Sequence, residues 1–475
     1  MVKRTIYPTW IATILLLSMH TSYAQSLKNN IDHAYQQFVK SGKFPNGIAS
    51  LTVLDGNTGQ PVFTQNATIG LPTASTMKVI TSITALDILG PDYTYQTKLA
   101  YIGEIDSLGV LHGDIIVIGS GDPTLGSDRF NNTKTETILN KWVYKIQHAG
   151  IQHINGRVIG DDLYLNGNDV PSTWNWVDMG NYYGAGISGL NWRENKIGIR
   201  FSANSIGQPA TISSTTTPLT GTTLINEVIT GSNGSGDNVY AYSAPYSNII
   251  YLRGTYGRDL KKVIEIAVPD PAWALAQQLT TSLSDAGIRV DSIPTTGKQL
   301  LNHGIKLSDQ RQALDTHRSP ALKDIVYWFN QKSINLYGEA MLKSFGIISH
   351  NEATTQKAAS LLSKYWEQKL RIPNSELNIQ DGSGLSPQNR VTTLAMAKIM
   401  HYAKSRPWFT DFQKSLPTIN GLTMKSGTIG GTLGYTGFHT GKTGTPVTFS
   451  LLVNNYTGST SAMRQEMFQL LNSLK

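Results

Sequence analysis

The chain has 475 residues, of which 40% are hydrophobic and 15% are charged, and its formal net charge is +8. This length is enough for two or three domains of roughly 100–200 residues each. The composition is too apolar for a disordered chain and too interrupted by glycine and polar residues for a protein that spans a membrane several times. The absence of cysteine excludes disulfides, thiolate metal sites and cysteine nucleophiles. The basic residues form no run, so we expect no nucleic-acid partner.

The first 24 residues have the pattern of a secretory signal peptide. Lys3 and Arg4 precede the apolar run of residues 10–17, and small residues at the end of the segment have the spacing of a cleavage site. The apolar run is shorter than the roughly 20 residues that a bilayer-spanning helix needs. We therefore expect an exported protein whose mature chain starts at Gln25 and has no transmembrane segment after cleavage.

The segment that follows predicts the opening of an α/β or α+β domain. Residues 26–44 have the spacing of an amphipathic helix, and residues 48–63 have the alternation and the turn of a hairpin. Residues 72–89 predict one buried helix, which is closed by Gly90-Pro91. Two strands that feed a helix indicate a mixed fold.

Residues of about 92–300 have a different texture, with short β-like runs separated by Gly, Ser, Thr and Asn. Helical patterns return at residues 321–346, 352–370 and 391–404, before final strands and a last helix. The two flanking segments are alike and the middle differs from both. We therefore predict one discontinuous α+β domain, formed by residues 25–91 and 301–475, that is interrupted by a β-rich insertion over residues 92–300.

Three short patterns with catalytic potential follow one another along the chain, namely Ser75-Thr-Met-Lys78, Ser333-Ile-Asn335 and Lys425-Ser-Gly-Thr428. Each pattern alone is weak evidence. Ser-x-Asn and Lys-[Ser/Thr]-Gly each occur three times in the chain, whereas Ser-x-x-Lys occurs once. Their order and their surroundings must therefore decide which copies matter.

Ser75 and Lys78 are predicted on the first turn of the helix over residues 72–89, at positions that share one face. A serine hydroxyl is a poor nucleophile unless a nearby base takes its proton, and a partly buried lysine can act as that base. A capped helix with an exposed lysine is the alternative. The apolar residues that follow Lys78 count against it, because they place the lysine among nonpolar neighbours.

Ser333 and Asn335 lie in a segment that is rich in residues of the buried type. A hydroxyl and an amide held there can relay a proton and bind a peptide group, although a satisfied polar pair between two helices would give the same pattern. Asn335 is the member of the pair that can hold a substrate amide.

The pattern that begins at Lys425 can follow a strand edge, where Gly427 lets a ligand backbone approach closely. The similar Lys442-Thr-Gly falls between two strand-like runs and ends in Gly-Thr-Pro, which is typical of a hairpin turn. Lys40 also begins such a pattern but precedes Ser75. We therefore expect Lys425 to be the functional copy.

The three patterns in this order resemble those of the serine acyl-transferases that react with penicillin. Further stretches resemble the low-molecular-mass class C penicillin-binding proteins, namely Gly119-Ser-Gly-Asp-Pro-Thr-Leu125, Gly160-Asp-Asp162, Trp174-x-Trp-x-Asp178 and Asp381-Gly-Ser-Gly-Leu-Ser386. The long interval between Lys78 and Ser333 is similar to that of the family, which places extra domains there. The resemblance covers nearly the whole mature chain. It implies a periplasmic D-alanyl-D-alanine carboxypeptidase/endopeptidase that acts on peptidoglycan stem peptides and is inhibited by β-lactam antibiotics.

The resemblance also implies a β-lactamase/penicillin-binding transpeptidase-like fold for the catalytic domain, and a role for each motif residue. Ser75 would attack the carbonyl of the penultimate D-Ala with Lys78 as the base. Ser333 would pass a proton toward the leaving D-Ala, and Asn335 would hold the substrate amide. Water would then cleave the ester on Ser75, and no metal or other cofactor is required.

The third motif would bind the end of the substrate. Lys425 would supply positive charge, and the hydroxyls of Ser426 and Thr428 would bind the terminal carboxylate beside Gly427. The backbone N–H groups of Ser75 and Thr428 would form an oxyanion hole. Each of these roles is implied by the resemblance.

Asp178 resembles the family acid that reads the amino end of the diaminopimelate side chain, and an ordinary loop cap is its alternative. Two other functions stay open at this point. A β-lactamase shares the acylation residues but hydrolyses the penicilloyl ester fast. A non-catalytic glycan-binding protein of the cell envelope is disfavoured because all the motif residues are present.

Overall fold

The computed structural model describes residues 25–165, 167–219, 221–441 and 444–475. The predicted signal peptide over residues 1–24 and the second lysine pattern at Lys442 therefore lie outside the described residues. The described chain forms two compact units. The first comprises the residues up to Ile80 together with Trp366–Asn378 and Asn389–Lys475, and the second comprises Thr81–Tyr365 and Ile379–Gln388. The predicted domain boundaries at residues 91/92 and 300/301 remain a prediction.

The helices of the described residues are α1 (25–39), α2 (Met77–Ile88), α3 (Thr135–His148), α4 (Trp176–Met179), α5 (Pro271–Asp285), α6 (Gly297–Asn302), α7 (Leu322–Lys332), α8 (Asn335–His350), α9 (Thr355–Leu370), α10 (Thr393–Ala403), α11 (Phe409–Ser415) and α12 (Thr460–Leu471). The strands are β1 (Ile48–Asp55), β2 (Pro61–Gln65), β3 (Gln96–Ile105), β4 (Val110–Ile118), β5 (His153–Ile154), β6 (Val158–Asp161), β7 (Lys196–Ser202), β8 (Thr211–Thr215), β9 (Thr223–Gly231), β10 (Asp237–Tyr242), β11 (Ile249–Gly257), β12 (Ile264–Ala267), β13 (Arg289–Val290), β14 (Thr295–Thr296), β15 (Gln312–Arg318), β16 (Leu377–Asn378), β17 (Arg390–Val391), β18 (Thr418–Ile419), β19 (Leu422–Ile429), β20 (Thr432–Thr440) and β21 (Pro446–Asn454).

The first unit is built on an antiparallel sheet with the order β18-β19-β20-β21-β1-β2. Alternate residues of β1 point to opposite faces of the sheet. Leu51 and Val53 belong to the core that α1 and α12 cover. On the other face, the hydroxyls of Ser50 and Thr52 lie 2.7 Å and 2.9 Å from Thr393 Oγ1 at the start of α10. The predicted hairpin and the predicted final strands are both present in this sheet.

The second unit contains a larger mixed sheet and two small sheets. The mixed sheet has the order β13-β5-β4-β3-β15 with β6 and β14 at its side, and its core includes residues of α3 and α5. The small sheets, β10-β11-β9 and β12-β7-β8, share a second core. The segment predicted to be β-rich therefore contains most of these strands, but it also contains two helices of 14 and 15 residues that the strand pattern did not predict.

Two predicted helices are interrupted where the motifs occur. The helix predicted over residues 72–89 begins as a short 3₁₀ turn, Ala74–Thr76, before α2 starts at Met77. The helix predicted over residues 321–346 is broken between α7 and α8, because Ser333 has φ 57° and ψ 41°. A left-handed residue cannot continue a right-handed helix. No helix among the described residues is long and apolar enough to cross a bilayer.

Candidate active site

Ser75 is held in the 3₁₀ turn that precedes α2. The residue before it, Ala74, is fully buried and has φ 46°, a backbone conformation that costs energy for any residue with a Cβ. Thr76 stabilises the turn by donating its hydroxyl to the carbonyl oxygen of Thr73 at 2.6 Å. The nucleophile predicted from the sequence therefore lies on a sharp turn and not inside a regular helix.

The amine of Lys78 contacts the hydroxyl of Ser75 directly. Lys78 Nζ donates a hydrogen bond to Ser75 Oγ at 3.0 Å, which is within the range required of a nucleophile and its base. Lys78 itself is 0% exposed, as are Met77 and Val79 on either side of it. The structure thus brings together the first two predicted site residues and places the lysine in the apolar environment that the sequence predicted.

Strand β19 passes directly against the 3₁₀ turn. A Cβ atom added to Gly427 would lie 2.8 Å from Ser75 N and 2.8 Å from Thr73 O, both of which are backbone atoms. Only glycine fits at this position, so the backbone of β19 can approach the backbone N–H of Ser75 closely. The backbone that approaches Gly427 in the structure is that of the turn that carries Ser75, so the close approach of a ligand backbone stays a prediction.

Lys425 is buried in the same strand, on the face that it shares with Gly427. Its exposed fraction is 2%, and its Nζ donates to the carbonyl oxygen of Ser426 at 2.8 Å. Burial lowers the pKa of Lys425 to about 7, because the charged ammonium loses its hydration. Lys425 is therefore an amine that titrates near neutral pH.

Ser426 and Thr428 alternate with these two residues along β19. Ser426 is half-buried and Thr428 is exposed. Thr428 Oγ1 accepts a hydrogen bond from a guanidinium N–H of Arg464 in α12 at 3.1 Å. Sequence reasoning missed Arg464, which lies 36 residues further along the chain and has no motif around it.

In the second unit, Ser333 and Asn335 occupy the break between α7 and α8. Ser333 is the left-handed residue that ends α7, and Asn335 is the first residue of α8. The Asn335 side chain donates from Nδ2 to the carbonyl oxygen of Tyr183 at 2.8 Å. The Ser-x-Asn pattern therefore marks a tight turn whose asparagine is fixed by a residue of the predicted insertion.

Asp178 belongs to the same part of the second unit. Its carboxylate is half-buried and forms side-chain hydrogen bonds with Tyr183 and Asn175. Burial raises the pKa of Asp178, and these hydrogen bonds oppose that rise. Beside it, Trp176 is 60% exposed and its ring lies 4.9 Å from that of Tyr242. Tyr183 thus connects Asp178, through its side chain, to Asn335, through its backbone.

A buried carboxylate that the sequence analysis did not single out supports the start of α8. Glu194 is 6% exposed and accepts hydrogen bonds from Tyr337 Oη at 2.7 Å, Ser127 Oγ at 2.8 Å and Arg129 Nε at 2.7 Å. Burial alone would raise its pKa, but the hydrogen bond and the charge of Arg129 hold the pKa below the usual value. Glu194 is the middle of three consecutive residues with φ between 52° and 56°.

Two of the stretches that carry the family resemblance meet in the structure. Trp174 donates its indole N–H to a carboxylate oxygen of Asp381 at 2.8 Å. Asp381 is fully buried and also accepts from the backbone N–H groups of Gly384 at 2.7 Å and Ser386 at 2.6 Å. The Asp-Gly-Ser-Gly-Leu-Ser stretch is therefore a loop organised around its own aspartate.

Comparisons with known proteins identify the family of the chain. A family model described as the D-Ala-D-Ala carboxypeptidase 3 (S13) family matches residues 27–421. The chain is 25% identical over 444 residues to a D-alanyl-D-alanine carboxypeptidase of Actinomadura sp. (strain R39). This alignment covers 86% of this chain and 78% of that protein. It is 24% identical over 421 residues to the D-alanyl-D-alanine carboxypeptidase DacB of Haemophilus influenzae, with 84% of both chains covered.

The fold has a counterpart among solved structures. The crystal structure of penicillin binding protein 4 (dacB) from Haemophilus influenzae superposes with a TM-score of 0.77 and 21% identity, covering 94% of this chain and 98% of that one. This likeness confirms the predicted α+β fold with an insertion. Since the family model spans most of the sequence, the chain belongs to the D-Ala-D-Ala carboxypeptidase 3 (S13) family.

Proposed function

We propose that this D-Ala-D-Ala carboxypeptidase works through an acyl-enzyme on Ser75, with Lys78 as the base. The observation that carries the proposal is the 3.0 Å contact between Lys78 Nζ and Ser75 Oγ. Neutral Lys78 accepts the hydroxyl proton while Ser75 Oγ attacks the carbonyl carbon of the penultimate D-Ala. The C–N bond to the terminal D-Ala then breaks, and water hydrolyses the ester to restore Ser75.

The third motif is proposed to bind the reacting carbonyl and the substrate carboxylate. The close approach of Gly427 to Ser75 N supports an oxyanion hole formed by the backbone N–H groups of Ser75 and Thr428. The hydroxyls of Ser426 and Thr428 would donate hydrogen bonds to the oxygens of the terminal carboxylate. Lys425 contributes positive charge when it is protonated. Because Lys425 is buried, little water screens this charge, and its attraction for the substrate carboxylate is stronger than at an exposed site.

Ser333 and Asn335 keep the roles that the family resemblance implies, proton transfer toward the leaving D-Ala and binding of the substrate amide. The fixed left-handed turn at Ser333 and the hydrogen bond that orients Asn335 support these roles, because a group that positions a substrate must itself be positioned. Asp178 is proposed to bind the cationic end of the diaminopimelate side chain.

The setting of the reaction is also a proposal. We infer an exported, periplasmic enzyme that trims peptidoglycan stem peptides, can cleave cross-links as an endopeptidase, and is acylated by β-lactams. The Haemophilus influenzae structure complexed with a β-lactam supports the last point, because it has the same fold with a TM-score of 0.72. The β-lactam would react at Ser75 as the peptide does.

The experiment is intact-mass measurement of the protein after treatment with benzylpenicillin, combined with an assay of D-Ala release from a pentapeptide. A stable adduct together with D-Ala release supports the carboxypeptidase. An adduct that disappears quickly while penicillin is consumed indicates a β-lactamase. A protein that forms no adduct and releases no D-Ala would be a binding protein.

A further inference from the structure

A cavity of about 500 Å³ opens in the second unit. One wall is the face of α5 that carries Trp273 and Gln277, and other walls come from the segments around Leu219 and Asn248. The volume lies in the range of small-molecule binding sites, roughly 300–1,000 Å³. No residue of the three motifs is among the described residues that line it. The proposed reaction at Ser75 therefore does not account for this cavity.

The cavity presents polar side chains that bond to nothing else among the described residues. Thr217 Oγ1 is buried and has no hydrogen-bond partner there. The side-chain amides of Gln277 and Asn248 and the hydroxyl of Ser282 also line the cavity. A buried polar atom without a partner costs free energy, which a ligand recovers when it supplies the missing hydrogen bond. These groups are uncharged donors and acceptors.

The charged side chains around the cavity balance in number, and two of the four, Lys196 and Asp270, are engaged with other groups. Its charged lining consists of Arg193 and Lys196 against Asp270 and Asp285. Lys196 pairs with Glu265 at 2.9 Å, and the Asp270 carboxylate accepts from the backbone N–H of Trp273 at 2.9 Å. A site with no excess of either charge and with free amides and hydroxyls favours an uncharged ligand that is rich in hydrogen-bonding groups.

Apolar surface accompanies these polar groups. Trp273, Pro218 and Leu219 line the same cavity. Sugars combine apolar C–H faces with hydroxyls, and N-acetylated sugars add a neutral amide, which matches this lining. A free stem peptide carries several carboxylates and an amine and matches it poorly, because no charged group is in excess.

We propose that this cavity binds uncharged N-acetylated sugar units of the glycan strand. The choice of that polymer rests on the proposed action on peptidoglycan, in which stem peptides are attached to such strands. The site would hold the glycan while Ser75 reacts with a peptide. It is a second binding site that the acylation chemistry does not use.

The test is calorimetric titration with the uncharged tetramer of β-1,4-linked N-acetylglucosamine, which contains no peptide. Ser282→Trp fills the cavity, and Gln277→Ala removes one free amide. The matched control is Ser284→Trp on the same helix, since Ser284 is exposed and does not line the cavity. Thermal unfolding and acylation of Ser75 by penicillin report whether each variant is folded.

We expect saturable binding to the wild type and to Ser284→Trp, at least a tenfold loss of affinity in Ser282→Trp, and roughly a 3- to 10-fold loss in Gln277→Ala, the effect of one hydrogen bond. If Ser282→Trp does not fold, Gln277→Ala decides. The proposal is overturned if the wild type shows no saturable binding, if the control variant loses as much affinity as Ser282→Trp, or if a sugar-free pentapeptide competes. Failure of acylation in the wild type would count instead against the assignment of Ser75.

Discussion

Tyr337 Oη donates a hydrogen bond at 2.7 Å to the carboxylate of Glu194, and Tyr337 lies two residues after Asn335 in the first turn of α8. Glu194 also accepts from Arg129 and Ser127. The carboxylate therefore joins a strained segment of the predicted insertion to the helix that begins with a motif residue. We infer that Glu194 holds the first turn of α8 in place.

Tyr337→Phe removes one donor from Glu194 and keeps the packing of the ring. We expect the free energy of unfolding to fall by about 1.5–3 kcal/mol, because a hydrogen bond to a buried charged group is lost. We also expect slower acylation by penicillin, since Asn335 starts the same helix. Urea unfolding and acylation rates measure the two effects.

The matched control is Glu227→Gln, which breaks the exposed ion pair with Arg253 and should change neither quantity measurably. Unchanged stability in Tyr337→Phe would remove Glu194 from this role.

Gly427→Ala tests the close approach of β19 to the turn of Ser75. The new Cβ would lie 2.8 Å from Ser75 N and Thr73 O, so the strand or the turn must shift. We expect a loss of stability of about 1–3 kcal/mol from this overpacking and a larger relative loss of acylation rate. Gly430→Ala is the control, because a Cβ there meets nothing within 4 Å. Normal acylation by Gly427→Ala would contradict the proposed oxyanion hole.

The pH dependence should report the titration of Lys425. Burial lowers the pKa of Lys425 to about 7, so its charge is present below pH 7 and is lost as the pH rises through that value. We expect kcat/KM for acylation to fall on the alkaline side with an apparent pKa near 7. The free energy of unfolding should instead increase as the pH rises above 7, because there the folded chain binds fewer protons at Lys425 than the unfolded chain does.

The control for this profile is Lys425→Arg, since arginine keeps its charge throughout the range. Any activity that this variant retains should show no alkaline fall near pH 7. An identical fall in the variant would assign the titration to a different group, and a flat wild-type profile would contradict a role for the charge of Lys425.

The role proposed for Asp178 predicts a selective effect. Asp178→Asn removes the charge that would attract the amino end of diaminopimelate but keeps the size of the side chain. We expect kcat/KM to fall for peptides that contain diaminopimelate and acylation by simple penicillins to stay nearly unchanged. Because Asp178 is also hydrogen-bonded to Tyr183, whose backbone holds Asn335, a structural role would lower both rates equally. Equal losses would therefore assign it that role.

Local patterns were sufficient to predict the parts of the fold that depend on neighbouring residues. The hairpin of β1 and β2 follows from alternation around Asp55-Gly56, and the burial of Lys78 follows from the apolar residues beside it. The strand that carries Lys425 also follows from the residues of its own short segment. These features need only the periodicity of a short segment.

Features that depend on distant partners could not be predicted in this way. Ser333 interrupts what would otherwise be one continuous helical pattern. Helix α5 is a different case, because its start signals are local: Pro271 lies in its first turn and the Asp270 side chain caps it. The sequence analysis assigned the whole segment to strands and so missed this helix. Glu194 gave no signal at all, because its partners Ser127 and Tyr337 are 67 and 143 residues away.

The most direct test of the account is the mass of the protein, and of its proteolytic peptides, after reaction with benzylpenicillin in the wild type and in Ser75→Ala. We predict one penicilloyl group on the peptide that contains Ser75 in the wild type. The variant should carry no adduct and release no D-Ala from a pentapeptide, while unfolding at a temperature close to that of the wild type. An adduct on a different serine, or undiminished D-Ala release by Ser75→Ala, would contradict the assignment of Ser75 as the nucleophile.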